Sequence, residues 1–137
     1  MNKILERQST AYGGRDGVIK DTQSGLEITL SKPIEMGGED ENGSNPEELF
    51  SVGYSACFAS SLEYLLHVAH INYQGLSVQA TTKLMADAQS GFSFELLVHA
   101  KIEGVTKDVE KKFVEQAYQF CPYSKAIRGN VKVTFVD

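Results

Sequence analysis

Apolar and polar residues alternate with a period of two over Leu26, Ile28 and Leu30, and again over Val131, Val133 and Phe135. This predicts short strands with one covered face. Residues 76–86 and 92–102 predict a hairpin that turns through Ala88-Gln89-Ser90-Gly91. Residues 3–12 and 17–20 predict two further strands around the turn Gly13-Gly14-Arg15-Asp16-Gly17, and GGEDENGSN (37–45) is a loop by composition. From 46 to about 71 the pattern changes. Leu49, Phe50, Val52, Tyr54, Ala56, Phe58, Leu62, Leu65, Leu66 and Val68 spread apolar surface over most of a helix circumference. Asn45 offers a cap, Pro46 suits the first helical position, and Glu47 and Glu48 set negative charge at the positive end of the helix. A helix apolar all round needs cover on all sides, and a chain of 137 residues with few strands is short of material to supply it. That imbalance is a first indication of a dimer. A second, amphipathic helix starts near Thr106 with an inner stripe of Val109, Phe113, Ala117 and Phe120, and breaks at Cys121-Pro122. Pro122 then opens a short helix that closes at Arg128-Gly129. Strands, helix, strands, helix and strand in that order give an α+β fold, expected as one domain over residues 1–137.

Charge narrows the function. The formal net charge is −5 and no Lys/Arg cluster offsets it, which argues against a nucleic-acid partner. The opening MNKILERQSTAYGG has no apolar run followed by a small-residue cleavage site, so no secretory leader is expected. The most apolar stretch, residues 49–69, is interrupted by several serines, Glu63 and His67, which reads as a buried helix and not a membrane span. The expected location is the reducing cytoplasm, where two cysteines are seldom a structural staple.

Cys57 lies inside the apolar helix, where a cysteine often serves as a small buried hydrophobe. Its neighbours Gly53, Ser55, Ala56, Ala59, Ser60 and Ser61 are small and leave room for a ligand or another chain. Cys121 stands 64 positions later at the start of the proline-led helix, where free N–H groups favour a thiolate. As a pair the two make chemical sense: a thiolate that attacks a peroxide becomes a sulfenic acid, and a second thiol condenses with it to a disulfide. A metal site would need His67, His70 or His99 as further ligands, but no known zinc spacing is present and no metal or cofactor is expected. A nucleophilic thiol needs a positive partner, and Arg15, held between glycines in a tight turn, is the candidate; a solvated turn arginine is its plainer reading.

Four segments, YGGRDG (12–17), SNPEELF (44–50), GYSACFASSLEYL (53–65) and CPYSKAIRGN (121–130), together resemble the organic hydroperoxide resistance proteins, a branch of the OsmC-like family. The resemblance runs in matching order over essentially the whole chain, and the last segment points to this branch over its OsmC relatives. It implies antiparallel sheets around a long central helix, an intertwined homodimer, and reduction of organic hydroperoxides without a cofactor. It also implies Cys57 as the peroxidatic cysteine, Cys121 as the resolving one, Arg15 as the activator of the Cys57 thiolate, and Glu47 as the partner that holds Arg15. Recycling would fall to a dithiol such as a dihydrolipoyl group.

Glu47 and Cys57 are ten residues apart on one predicted helix, roughly 15 Å along its axis. Either the helix breaks near Gly53, or two such helices pack antiparallel across a two-fold axis and Glu47 serves the other subunit's Cys57. Tyr54, Phe58 and Phe120 near the cysteines are expected to favour a hydroperoxide with an apolar tail. Two other readings remain: a general stress peroxidase of the OsmC type, and a non-enzymatic dimeric module that binds an apolar ligand, in which the cysteines need not meet.

Overall fold

Glycine geometry sets the first turn of the chain. In the computed structural model, which describes residues 1–137, Gly13 has φ +78°, and a Cβ on Gly17 would stand 2.1 Å from the Tyr12 carbonyl oxygen. Only glycines let strand β1 (Thr10–Tyr12) double back onto β2 (Val18–Lys20), with Tyr12 paired to Val18. The Gly17 N–H closes this turn on the Gly14 carbonyl at 2.9 Å, which leaves Arg15 at its tip. β2 pairs in turn with β3 (Glu27–Thr29), also antiparallel. Asp21 ends β2: its Oδ1 accepts the Gln23 N–H at 2.7 Å and folds the chain into the next turn.

That turn explains why the strand predicted over 3–12 forms only from Thr10. Thr10 pairs with Lys20, the last residue of β2, so residues before Thr10 find no backbone to pair with. Ile4 and Leu5 accordingly stay exposed. Backbone contacts group the chain into two compact units, Met1–Pro46 and Glu47–Asp137.

The second unit holds both cysteines. Helix α1 (Pro46–Val68) is continuous and carries Tyr54, Phe58, Leu62 and Leu66 at every fourth position, all fully buried. They pack on Leu96, Val98 and Ile102 of β5 (Gly91–Glu103), which forms the predicted hairpin with β4 (Gly75–Asp87). Each such side chain stabilises the fold by about 1.5–3 kcal/mol through lost apolar exposure. Helix α2 (Lys107–Phe120) starts where the sequence predicted, with the Thr106 side chain accepting the Val109 N–H at 3.3 Å. Its buried stripe is Phe113, Ala117 and then Cys121, in i, i+4 steps. Phe120, expected in that stripe, instead stands outside the core and stacks on Tyr64 with ring centroids 5.2 Å apart.

After α2 the chain forms the short helix α3 (Pro122–Ile127) and returns as β6 (Lys132–Phe135), parallel to β5. Two helices thus make the crossover that a parallel pair requires. The result is an α+β fold with one antiparallel sheet, β1-β2-β3, and a second, β4-β5-β6, antiparallel except for its parallel β5–β6 pair, against which the long helix is laid. The face of α1 away from the core stays open within the chain: Val52 and Tyr64 are more than half exposed, and Ala56 and Ser60 between them are exposed too.

Candidate active site

The sequence puts a tyrosine three residues before Cys57 and a serine three residues after Cys121. On helical backbone, residues three apart share a face, so α1 and α3 present matching pairs to one another. The structure sets these pairs rung to rung. The Cys121 Sγ lies 3.4 Å from the Cys57 Sγ and donates to it, and the Tyr54 hydroxyl meets the Ser124 Oγ at 2.7 Å. Both thiols are free. Tyr54, Ser124 and Cys121 are fully buried, while Cys57 is only partly covered.

Gly53 makes the close approach possible. A Cβ at that position would stand 2.7 Å from the Tyr123 Oη and 2.8 Å from its ring. Without it, Tyr123 lies against α1 one turn before Cys57 and meets the Tyr54 ring edge-on, with centroids 6.5 Å apart. Arg128 steadies the far end of α3, its guanidinium donating to the Tyr118 carbonyl at 2.6 Å and lying 4.8 Å over the Tyr118 ring.

Burial pushes the Cys57 thiol above its ordinary range, and the adjacent Cys121 thiol pushes the same way because two sulfurs in contact cannot both ionise freely. The backbone N–H of Tyr123 opposes them by favouring a Cys57 thiolate. The sequence assigned the N–H groups at the start of α3 to Cys121. The Cys121 side chain itself makes no capping hydrogen bond.

Burial also raises the Tyr54 hydroxyl to about 12, partly offset by the bond to Ser124. A phenol whose folded pKa exceeds its ordinary 10 contributes stability that is complete below pH 10 and lost as pH rises through about 12. Denaturant melts over that interval should show a steep alkaline loss in the wild type, and a shallower one in Tyr54→Phe.

The other predicted site residues are Arg15 and Glu47. Arg15 occupies the β1–β2 turn of the first unit. Glu47 lies in the first turn of α1, and because that helix runs unbroken through Gly53, the residue is roughly 15 Å along the axis from Cys57. It borders a depression of about 390 Å³ lined also by Leu84, Phe92 and Asn130. A break at Gly53 is thereby ruled out. Tyr54 and Phe58, expected to offer apolar surface to a ligand, are core side chains with no exposed area. Among the described residues no group of three or more His, Cys, Asp or Glu side chains could hold a metal. The Tyr54–Ser124 pair was missed from sequence, although its mirrored spacing about the two cysteines was there to find.

A long helix against a sheet, with one thiol on that helix touching a second thiol at a helix junction, defines a dithiol protein of α+β fold. The chain belongs to the OsmC-like protein family, whose model matches residues 37–136. It is 41% identical over 133 residues to organic hydroperoxide resistance protein-like 2 of Staphylococcus epidermidis, covering 96% of this chain and 94% of that one. It is 34% identical to the organic hydroperoxide resistance protein of Xanthomonas axonopodis pv. citri, covering 96% and 92%. Among solved structures, an organic hydroperoxide resistance protein from Legionella pneumophila superposes with a TM-score of 0.93 at 36% identity, over 98% of this chain and 97% of that one. One from Elizabethkingia anophelis does so with the same TM-score at 38% identity, over 98% and 96%. No helix of the chain is long and apolar enough to cross a membrane.

Proposed function

We propose that this protein is a thiol-dependent peroxidase that reduces organic hydroperoxides to alcohols. The observation that carries the reading is the 3.4 Å contact between a partly exposed Cys57 sulfur and a buried Cys121 sulfur. A non-enzymatic ligand-binding module has no need for that contact. The Cys57 thiolate attacks the terminal oxygen of ROOH, the O–O bond breaks, and ROH leaves with one proton. Cys57 is left as a sulfenic acid. The Cys121 thiol then displaces its hydroxyl as water and forms the disulfide. A disulfide is about 2.05 Å long, so closure takes about 1.4 Å of sulfur movement and no rearrangement of the fold. A dithiol, of the lipoyl type, returns both thiols.

Burial and Cys121 both raise Cys57, so its activation calls for a cation. Arg15 supplies it in this reading, offsetting charge on the departing oxygen, and Glu47 orients Arg15. The distance of Glu47 from Cys57 along α1 favours a site shared between two chains, with Glu47 acting on the partner's thiol. The open stripe of Val52, Ala56, Ser60 and Tyr64 is the face by which two α1 helices would pack in a homodimer. The names of the relatives, organic hydroperoxide resistance proteins, support this reading, and a cytoplasmic setting is part of the proposal.

The test is turnover of cumene hydroperoxide and of hydrogen peroxide by the reduced protein, with dihydrolipoamide as reductant. The alkyl hydroperoxide is expected to react at least tenfold faster in kcat/KM, the preference that the names of the relatives support. Equal rates would favour a general stress peroxidase. No turnover with any thiol donor would return the ligand-binding module.

A further inference from the structure

The contact that brings the two sulfurs together has a second rung with no part in the chemistry so far described. Tyr54 stands at i−3 from Cys57 on α1, and Ser124 at i+3 from Cys121 on α3; their hydroxyls meet at 2.7 Å with neither side chain exposed. A buried hydrogen bond between two hydroxyls adds little net stability, but shifting the helices apart leaves both groups unsatisfied in a dry interface. Its energy therefore depends steeply on register. The register it fixes is the one that sets Cys121 Sγ beside Cys57 Sγ at 3.4 Å. Gly53 opens the space for this docking but does not choose its register, since Tyr123 meets it with an exposed, swingable ring.

We propose that Tyr54 and Ser124 are positioning residues for disulfide closure: their hydrogen bond holds α3 in the register from which Cys121 attacks an oxidised Cys57. The inference rests on the thiol-peroxidase reading only for the identity of the oxidant. The closure step itself conserves atoms and electrons in either of two ways. With a peroxide, the sulfenic hydroxyl leaves Cys57 as water, carrying the Cys121 proton, while the Cys121 sulfur is oxidised and the Cys57 sulfur reduced to the disulfide level. With the azo compound diamide, the first thiol adds across the N=N bond and the second displaces it as the hydrazine, again leaving the disulfide. In both, the geometry of the second thiol governs the second step alone.

The experiment uses the full-length protein as Tyr54→Phe, as Ser124→Ala and as the double variant. Two rates are followed by acid quench and mass spectrometry: first attack on Cys57 and subsequent disulfide closure, with cumene hydroperoxide and, separately, with diamide. Each single variant is expected to keep the first rate within about twofold and to close about tenfold more slowly, the equivalent of about 1.4 kcal/mol. With peroxide, the slower closure should appear as more sulfinic acid per turnover. The double variant should close no more slowly than the worse single, because one interaction is lost only once. A folded single variant that closes at the wild-type rate overturns the proposal. So does a fall of both rates together in step with thermal stability, or failure of both single variants to fold, since either would make the pair merely structural. If wild-type Cys57 ignores peroxide, the peroxidase reading fails while the diamide rates still decide this one.

Discussion

Cys57→Ser is expected to abolish consumption of cumene hydroperoxide, with kcat/KM falling by about 10⁴-fold or more, to the level of free dithiol in solution. The size of the effect follows from what the sulfur does. A thiolate is polarisable and forms at accessible pH, whereas a serine hydroxyl ionises far above the working range and does not attack a peroxide O–O bond. No other thiol can substitute, because Cys121 is fully buried and opens only toward Cys57. The measurement is loss of hydroperoxide against time with dihydrolipoamide in excess, on variant protein shown to be folded by its melting curve. Turnover within tenfold of wild type would mean that Cys57 is not the nucleophile.

Cys121→Ser should separate the two halves of the cycle. The first molecule of hydroperoxide is expected to react at close to the wild-type rate, since Cys57 keeps its place on α1 and its partial exposure. The cycle then stalls. With no thiol at 3.4 Å, the sulfenic acid persists until an external thiol or a second peroxide reaches it, and excess peroxide carries it to the sulfinic acid. Steady-state turnover with dihydrolipoamide is expected to drop by about 10²-fold, with sulfinic Cys57 accumulating in the mass spectrum. The substitution also removes the neighbour that raises the Cys57 thiol, so its alkylation by iodoacetamide should move to lower pH. Sustained wild-type turnover without over-oxidation would assign resolution to the external dithiol alone.

The helices and the hairpin were legible in the sequence because their signals are local. Asn45-Pro46 and Thr106 mark helix starts, and the run from Leu76 to Ile102 keeps strand period on both sides of one turn. Strand length was not local. Residues 3–9 carry an adequate pattern, but β1 extends only as far as β2 offers backbone, and Asp21 cuts β2 short. The two cysteines could be nominated from sequence, but their contact depends on where α3 docks. That docking is decided by a glycine, a tyrosine and a serine that look ordinary one at a time. Phe120 left the α2 stripe for a local reason. Cys121 takes the fourth inner position, and a helix face 100° away from it cannot also point inward. Tyr54 and Phe58 flank Cys57 in sequence but face the sheet, so adjacency along the chain suggested a ligand-lining role that helical geometry denies them.

The unequal cover of the two sulfurs would set the regiochemistry of recycling in the proposed cycle. In the oxidised enzyme of the proposed cycle, an incoming thiolate must approach in line with the S–S bond and strike one end of it. The Cys121 end lies under α1 and α3 with no exposed area, so the reachable electrophile is Cys57. In that cycle the mixed disulfide with the reductant is therefore expected to form on Cys57, with Cys121 departing as the leaving group into the core and the second thiol of the reductant finishing the exchange from solvent.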